Sequence, residues 1–496
     1  MTKTLKILLL AAFFGLVACG DADNSTEMGE IMGNIENITN AENIRNSRIT
    51  SDVRVFTTTS DQQFMFAEMD STTAVPTANL ADVGEEITLN FDQQFQTIEG
   101  FGASMTDSSA YVMHQLSAED MDRLMVELFS PTDGIGLSVL RQTIGASDFA
   151  REMYNYAPDH DTTLANFSID YDREHIIPLL HRAMELNPQL MIMASPWSPP
   201  GWMKTTGSMI GGQLLPEYYE VYAEYFVKFI QEYAAAGITI SAVTPQNEPL
   251  YVPGDYPGNF MDADIQANFI NTALGPALRA NFPNIRLFAY DHNWDNTEFA
   301  LSVLRQAGEF VDGVAWHHYG GSPASQSVVW RAFPESEVHF TEGSGGEWLL
   351  PFSNSFFGFI DNTIGVLRNQ GKTKILWNVA LDQDNGPFIP APERRSTVHG
   401  IARINTETGE YTYNLEYYVL SHFSKFIRPG AIRIFSNIGE NLNNVAVVNE
   451  DGSTVVVVHN AATAQRNVKI TLEDYSFSYV LLPQSATTFV FDTDLR

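Results

Sequence analysis

The chain has 496 residues and a formal net charge of −32, from 60 acidic and 28 basic side chains. So acidic a protein is excluded as a general nucleic-acid binder, because contacts to phosphates require clustered lysine and arginine. Hydrophobic residues make up 44% of the chain and aromatic residues 12%, which excludes global disorder and allows more than one packed domain.

Residues 1–19 have the pattern of a secretion signal that ends in a lipid-attachment cysteine. The basic segment Met1–Lys6 precedes an apolar run, Ile7–Ala18, that is too short to span a bilayer. Cys19, the only cysteine, ends a Leu-Val-Ala-Cys sequence that resembles the lipobox of bacterial lipoproteins. We therefore expect an exported protein held at the bacterial cell envelope, at the outer membrane or cell surface, by a lipid anchor. An ordinary signal peptide with an incidental cysteine is the alternative.

Residues 20–52 are rich in polar residues and glycine and lack apolar periodicity, which predicts a flexible tether. From residue 53 onward, apolar and polar residues alternate, as in Val53–Thr57 and Ile87–Phe91. This period of two predicts β-strands. We assign residues 53–96 to the N-terminal strands of an all-β sandwich.

Residues 97–428 alternate apolar strand candidates with amphipathic helix candidates. The strands are expected at Ile98–Ala103, Leu137–Arg141, Leu190–Ser195, Ile240–Thr244, Ile285–Tyr290, Gly313–His317, Glu337–Thr341 and Lys374–Ala380. The helices are expected near 118–129, 172–187, 217–235, 262–281, 296–308, 323–333, 353–370 and 414–427. Eight such units predict a (β/α)8 barrel. An open doubly wound sheet is the alternative, although no Gly-X-Gly-X-X-Gly follows an early strand.

The strand pattern returns in residues 429–496. Val445–Asn449 and Thr454–His459 flank Glu450–Ser453, a typical hairpin turn. Because the strands of residues 53–96 have no partners in a barrel, we expect them to join these C-terminal strands. The sandwich would then be a discontinuous domain.

Two glutamates follow predicted barrel strands directly. Glu248 comes after the fourth strand and Glu342 after the seventh, where a parallel barrel gathers its active-site groups. Two facing carboxylates are what glycosidic-bond hydrolysis requires, whereas two ordinary loop glutamates are the alternative. Polar or aromatic residues follow most of the other predicted strands too, which favours a catalytic cleft.

Six segments resemble glycoside hydrolase family 30, which includes glucosylceramidase and endo-β-1,6-glucanases. They occur in order at Ile98–Asp107, Ser195–Lys204, Val243–Pro249, Phe340–Glu342, Trp377–Leu381 and His422–Phe426. The resemblance runs from about residue 53 to the end of the chain. It implies a (β/α)8 barrel with an attached β-sandwich, a retaining mechanism, and neither a cofactor nor a metal.

The resemblance also assigns roles to individual residues. Glu248 matches the acid/base and Glu342 the nucleophile. The residues that match the glycone subsite are Asp148, Trp197, Asn247, Tyr319 and Trp377. Arg141 matches an arginine that supports the nucleophile. His317 matches a site histidine, although the doublet with His318 leaves the choice of ring open.

Retaining hydrolysis makes specific demands on these groups. Glu342 must attack as a carboxylate, stabilised by Arg141 and Tyr319, and Glu248 must begin protonated. We expect the charge of Glu342 and partial burial to raise the pKa of Glu248. We expect Asn247 to bond a sugar 2-hydroxyl. The two indoles, Trp197 and Trp377, are expected to form flat walls.

Several segments look more like the bacterial β-1,6-glucanase branch than like ceramide-cleaving relatives. They are Gln246–Leu250, Tyr290–Asn293 and Trp316–Gly321. The segment after the last strand, Asp382–Ser396, lacks the cysteine-containing loop of related bacterial enzymes, which leaves linkage and chain-length preference open. An endo-β-1,6-glucanase is therefore the first hypothesis. The alternatives are a glucosylceramidase or another exo-β-glycosidase, and a catalytically silent glycan-binding lipoprotein.

Overall fold

The strands fall into four groups along the chain. The computed structural model describes residues 48–50, 52–80, 84–349, 352–389, 396–440 and 442–494. The first group contains β1 (Arg48–Ile49), β2 (Asp52–Thr59), β3 (Ala67–Thr73), β4 (Val75–Pro76) and β5 (Glu85–Thr97). The second contains β6 (Gly100–Ser104), β7 (Val139–Thr143), β8 (Met191–Ser195), β9 (Ala242–Val243), β10 (Arg286–Asn293), β11 (Gly313–His317), β12 (Glu337–Glu342) and β13 (Thr373–Leu376). The third contains β14 (Ala380–Asp382), β15 (Ala402–Asn405) and β16 (Glu410–Tyr413). The last contains β17 (Ile432–Ser436), β18 (Leu442–Val448), β19 (Ser453–Asn460), β20 (Arg466–Leu472), β21 (Tyr475–Leu481) and β22 (Ser485–Asp494).

Helices follow the barrel strands in the expected alternation. They are α1 (Asp107–Met113), α2 (Ala118–Phe129), α3 (Asp170–Leu186), α4 (Tyr219–Ala235), α5 (Ala263–Phe269), α6 (Gly275–Asn281), α7 (Thr297–Ala307), α8 (Ala324–Ala332), α9 (Phe352–Arg368) and α10 (Leu415–Ser424). A π-helical turn, Ile270–Leu274, joins α5 to α6, so the predicted helix at 262–281 is continuous but irregular. Ser117 caps α2, because its side chain accepts a hydrogen bond from the Asp120 backbone amide.

The predicted (β/α)8 barrel is confirmed. The strands β6 to β13 form a closed parallel sheet in which β13 pairs with β6 and β9 pairs with β10. Its interior is filled by buried side chains from six of the eight strands, which makes it a packed core. They are Val139, Met193, Ala242, Phe288, Ala315 and Ile375.

Two strand predictions need correction. The fourth strand contains only Ala242–Val243, because the residues before it pair with β8 in isolated contacts rather than in a continuous ladder. The eighth strand ends at Leu376 instead of Ala380. Ala380–Asp382 instead pairs with β15, in a small three-stranded sheet above the barrel strand.

The sandwich is built from both ends of the chain. Its strands follow the order β3-β2-β22-β19-β18-β17-β5-β20-β21-β4 and surround a second apolar core. That core contains Val53, Val55, Ile87, Leu89, Ile434, Val456, Val458, Ile470, Phe477 and Phe489. The boundary of the predicted tether needs correction, because β1 pairs with β22 and Ile49 is buried in this core. The rest of the predicted tether, the signal peptide and Cys19 lie outside the described residues.

The barrel and the sandwich belong to one compact unit, residues 48–493. The buried His422 ring, on α10, joins them through Thr58 in β2 and Thr488 in β22, at 2.9 and 2.8 Å. Arg368, at the end of α9, donates to the carbonyl oxygens of Ser436 and Asn444. Among the described helices, none has the length and apolar character that a membrane span requires.

Candidate active site

The carboxyl ends of the barrel strands place the predicted site residues on one face. Arg141 lies in β7, His317 ends β11 and Glu342 ends β12. Asn247 and Glu248 lie in the loop just after β9. Since all eight strands run in the same direction, these groups converge at the same end of the barrel.

Arg141 connects three parts of this site. Its guanidinium is fully buried, and Nη1 donates to Glu342 Oε2 at 2.5 Å. Nη2 donates to Asn247 Oδ1 at 2.7 Å and to Asp291 Oδ2 at 2.8 Å. A buried arginine fixed by three acceptors is a rigid positive charge, because guanidinium geometry is planar and its protonation is permanent.

Glu342 is held by both of its oxygens. Oε2 accepts from Arg141, and Oε1 accepts from the Tyr319 hydroxyl at 2.9 Å. Only 5% of the residue is exposed. The Tyr319 ring is 44% exposed, so its hydroxyl reaches the carboxylate from the solvent side of the cleft. This arrangement fixes the carboxyl group of Glu342 in one orientation, which a nucleophile requires.

Asp291 organises the base of the site, a role that the sequence analysis did not assign. Its buried carboxylate accepts hydrogen bonds from five side chains. These are Arg141 at 2.8 Å, Ser195 at 2.8 Å, Thr244 at 2.7 Å, His317 at 2.9 Å and Thr341 at 2.7 Å. Burial raises the pKa of Asp291, but the Arg141 and His317 charges and its hydrogen bonds hold it far below the usual value.

The backbone is strained where these groups are presented. Glu248, Tyr290 and Asp291 have φ values of 42°, 74° and 60°, in the left-handed region that disfavours residues other than glycine. The ladder between β10 and β11 shifts register between Tyr290 and His292. Such strain concentrates at functional sites, where the surrounding contacts hold the conformation.

Glu248 contacts two imidazole rings. Its Oε1 lies 3.1 Å from His317 Nδ1 and 3.5 Å from His292 Nδ1. Burial raises the pKa of Glu248, but the hydrogen bonds and charges of the two histidines outweigh it and lower the pKa to about 2. The expected rise in the pKa of Glu248 is therefore wrong, because residue spacing could not show that two imidazoles adjoin this carboxylate.

His317 carries the proton that Glu248 lacks. Burial lowers the pKa of His317, but Glu342, Asp291 and Glu248 together raise it to about 9. Its Nε2 faces Asp291 and its Nδ1 faces Glu248. His318 points the other way, with Nε2 3.3 Å from the Ser344 carbonyl oxygen. The alternation of side chains along a strand therefore resolves the doublet in favour of His317.

The two predicted indoles form a single stacked pair. The rings of Trp197 and Trp377 lie 4.8 Å apart at an angle of 17°, and each residue is nearly buried. The guanidinium of Arg141 lies 4.9 Å from the Trp197 ring centre, in a cation–π contact. The indoles do not form two separate walls. They form one packed floor that excludes water from Arg141.

Asp148 and Asn247 are the polar groups left for a ligand. Burial and the charge of Glu342 raise the pKa of Asp148 well above its usual value, which favours the neutral carboxyl group. Its Oδ1 is buried without a hydrogen bond to any described residue. Because Asn247 Oδ1 is occupied by Arg141, its amide NH2 is the group that remains for a sugar hydroxyl.

Glu248 and Glu342 flank one cleft. They follow β9 and β12, three strands apart in the barrel. His317 bonds Glu248, and the charge of Glu342 raises the pKa of the same ring. Tyr319 bonds Glu342, and both carboxylates raise the pKa of its hydroxyl. Two carboxyl groups across one cleft, one beside a proton carrier and one beside an arginine, can perform acid-assisted displacement at a sugar carbon.

Comparison with known proteins agrees with this geometry. The profile of the glycosyl hydrolase family 30 TIM-barrel domain matches residues 98–427, and that of the family 30 beta sandwich domain matches residues 430–489. The chain is 33% identical over 390 residues to an endo-1,6-β-D-glucanase of Neurospora crassa, covering 74% of this chain and 79% of the relative. It is 30% identical over 427 residues to the lysosomal acid glucosylceramidase of Mus musculus, covering 80% of each.

A solved structure is similar over most of its length. The structure of an endo-β1,6-glucanase matches with a TM-score of 0.82 and 31% identity, covering 89% of this chain and 100% of that chain. Fold, site and matches together define a glycoside hydrolase. The chain belongs to glycoside hydrolase family 30, with the barrel and the sandwich of that family in the expected order.

Proposed function

We propose that this protein cleaves β-1,6-linked glucan internally, by double displacement with retention of the anomeric configuration. The observation that carries the proposal is the orientation of Glu342 by Arg141 and Tyr319 within the cleft that also contains Glu248. The relatives from Neurospora crassa and among solved structures, both named endo-1,6-glucanases, support the linkage. Neither the net charge of the chain nor the residues that line the cleft point to another class of substrate.

In the first step, Glu342 attacks the anomeric carbon and forms a glycosyl ester. The positive charge of Arg141 stabilises the Glu342 carboxylate before attack. As Glu342 becomes neutral, the guanidinium keeps its hydrogen bonds to Asp291 and Asn247. The glycosidic oxygen leaves with a proton from Glu248, which draws it from His317 across their 3.1 Å contact. The bond to the leaving oxygen breaks as the ester bond forms.

In the second step, water hydrolyses the ester. Glu248 takes a proton from the attacking water, and the arriving hydroxide displaces Glu342 as a carboxylate. His317 is held by Asp291 on its other nitrogen, so it can take the proton back from Glu248 without moving its ring. Asn247 would bond the 2-hydroxyl of the sugar and Asp148 another hydroxyl, which fixes the ring between the two carboxyl groups.

The proposal is tested with β-1,6-glucan and gentiobiose-based oligosaccharides, with products sized over time. We expect oligosaccharides first, and the newly formed reducing end first in the β configuration by proton NMR. Glu342→Gln should reduce kcat by about 10⁴-fold or more, as for removal of other nucleophiles, while thermal unfolding remains that of the wild type.

A matched control is Glu335→Gln. Glu335 is exposed at the opposite end of the barrel, before β12, so its variant should hydrolyse the glucan at the wild-type rate. Unchanged turnover in Glu342→Gln would reject the nucleophile. Release of the α-anomer first would reject the double displacement.

Glucosylceramide cleavage is the second candidate, because the Mus musculus relative covers 80% of this chain. An exo-acting enzyme would release glucose alone and would act on glucosylceramide in detergent micelles. Oligosaccharide products from β-1,6-glucan, with no turnover of the lipid, would eliminate this candidate.

We also propose export and lipid attachment at Cys19, from the pattern of residues 1–19. Expressed in a Gram-negative host, the full chain should fractionate with membranes and incorporate labelled palmitate. Cys19→Ser should remove the label and release the protein from the membrane fraction. Label retained in Cys19→Ser would refute lipidation at this residue.

A further inference from the structure

A second chemical property of the cleft arises from His292, which the proposed hydrolysis does not use. Its residue is 8% exposed, and Nδ1 has no hydrogen bond to a described residue within normal geometry. Nδ1 instead points at Glu248 Oε1, 3.5 Å away, beside the Nδ1 atom of His317. A buried imidazole nitrogen beside a carboxylate oxygen and a second imidazole nitrogen is placed to coordinate a metal ion together with them.

We propose that Glu248, His292 and His317 form a binding site for Zn²⁺ and similar borderline transition metals, and that metal bound there reversibly blocks catalysis. Two imidazoles and one glutamate are the ligand set of many zinc sites that keep an open position. The site would make the enzyme sensitive to metal at the residue that handles the proton.

The spacing of the ligand atoms supports coordination. With bonds of 2.0 to 2.1 Å, tetrahedral ligand atoms lie about 3.3 Å apart. Glu248 Oε1 is 3.1 Å from one imidazole nitrogen and 3.5 Å from the other, and all three ligand atoms lie within 4.8 Å of one another. The two histidine nitrogens therefore lie within 4.8 Å of each other, on either side of the glutamate oxygen.

The group that orients the His317 ring is of the kind found around zinc ligands. His317 Nε2 lies 2.9 Å from Asp291 Oδ1, so a carboxylate orients the ring and leaves Nδ1 toward the metal position. The side chains of Glu248 and His292 are 15% and 11% exposed, which gives an ion a path from solvent. Binding displaces the proton between His317 and Glu248 to solvent, so the carboxyl can no longer serve as acid or base.

A second cluster of potential metal ligands is already paired with basic side chains. Glu99, Glu337 and His339 also gather, at the other end of the barrel. There Arg286 and Lys372 each lie 2.7 Å from Glu99 and also bind Glu337. Two cations already neutralise this cluster, so it lacks the free ligand atoms of the cleft.

The test is a calorimetric titration of Zn²⁺ into the folded, metal-free protein. Because this titration needs no substrate, its result does not depend on which glucan the protein cleaves. We expect His292→Gln to weaken binding in the cleft at least about tenfold, the scale for loss of metal-site interactions. His181→Gln is the control, since His181 is exposed on α3, bonds the Ala236 carbonyl oxygen and should leave binding unchanged. Mg²⁺ should not compete, because it prefers all-oxygen octahedral sites.

Activity gives an independent readout. Zn²⁺ should inhibit the wild type reversibly, with full recovery after EDTA, and inhibition of His292→Gln, normalised to its own rate, should need at least about tenfold more metal. His292→Asn serves if His292→Gln fails to fold. Equal Zn²⁺ affinity of variant and wild type, or zinc-loaded protein that hydrolyses at the uninhibited rate, would overturn the proposal.

Discussion

At the scale of single residues, the site depends on a carboxylate that takes no part in bond breaking. Asp291 accepts five side-chain hydrogen bonds and contacts both the arginine of Glu342 and the histidine of Glu248. It thus ties the positions of the two catalytic carboxyl groups to one buried anion. The cost of removing one partner from such a network is high, because the remaining charges stay buried without compensation.

Replacing Asp291 by Asn tests this network. The change keeps the shape but puts an amide NH2 against donors and leaves Arg141 and His317 short of one negative charge. We expect a loss of about 3–5 kcal/mol in the free energy of unfolding, measured by urea denaturation. Asp122→Asn, which removes an exposed ion pair with Arg182, should leave the midpoint nearly unchanged. Equal midpoints for both variants would contradict the role of Asp291.

Sequence patterns predicted the two catalytic glutamates but not Asp291. Both glutamates stand just past apolar runs, within motifs that resemble the family. Asp291 lies in a similar motif, Tyr290–Asn293, yet its partners come from five other strands or loops. A single sequence cannot show that Ser195, Thr244 and Thr341 donate hydrogen bonds to the same carboxylate.

At the scale of secondary structure, long periodic segments were predictable and short ones were not. The eight barrel strands and the helices after them were found, because buried runs and amphipathic stripes are strong signals. The helix α1 has seven residues and was missed, although Thr106 caps it. The sheet of β14, β15 and β16 was missed too, since its strands of three and four residues are defined by pairing more than by composition.

The loop that follows Glu342 rests on another element, α10. Glu416, near the start of that helix, is buried, and its carboxyl packs against Gly345. A Cβ added at Gly345 would lie 1.7 Å from Glu416 Oε1. Gly345 thus allows the backbone after Glu342 to lie directly on a buried carboxyl group, a fit that any larger residue would break.

Gly345→Ala should therefore displace the loop that presents Glu342. We expect kcat to fall about tenfold or more, because small misplacements of reacting groups are costly. Glu416→Ala in the same chain should restore part of the loss, since it removes the clashing atoms. Gly358→Ala, on α9 with open space around it, is the control and should keep full activity. Absence of any recovery in the double variant would contradict a clash with Glu416.

At the scale of the whole molecule, His422 couples the barrel to the sandwich. Both of its ring nitrogens bond threonine hydroxyls of the sandwich, and the ring is fully buried. Burial lowers the pKa of His422 to about 3 from 6.5. Below about pH 6.5 the His422 ring binds a proton in the unfolded chain but not in the folded chain. The free energy of unfolding therefore falls as the pH decreases toward 3.

His422→Gln should reduce that dependence on pH. Between pH 6 and pH 4, the free energy of unfolding of the wild type should decline more steeply than that of the variant, by about 1.4 kcal/mol per pH unit. Urea denaturation across this range measures both slopes, and at pH 8 the two slopes should coincide. Parallel curves at acidic pH would show that His422 becomes protonated without unfolding.

The pairing of β2 with β22 has a consequence for biosynthesis. Thr57 in β2 meets Thr487 in β22, 430 positions later in the chain. At about 5–20 residues per second, a ribosome needs roughly 20 to 90 s to deliver the later strand. During that interval the barrel can emerge and close, while the edge of β2 that will pair with β22 has unpaired backbone N–H and C=O groups. Such an edge can associate with other nascent chains. Completion of the sandwich, and with it the burial of His422, is therefore a late event that depends on synthesis of β22.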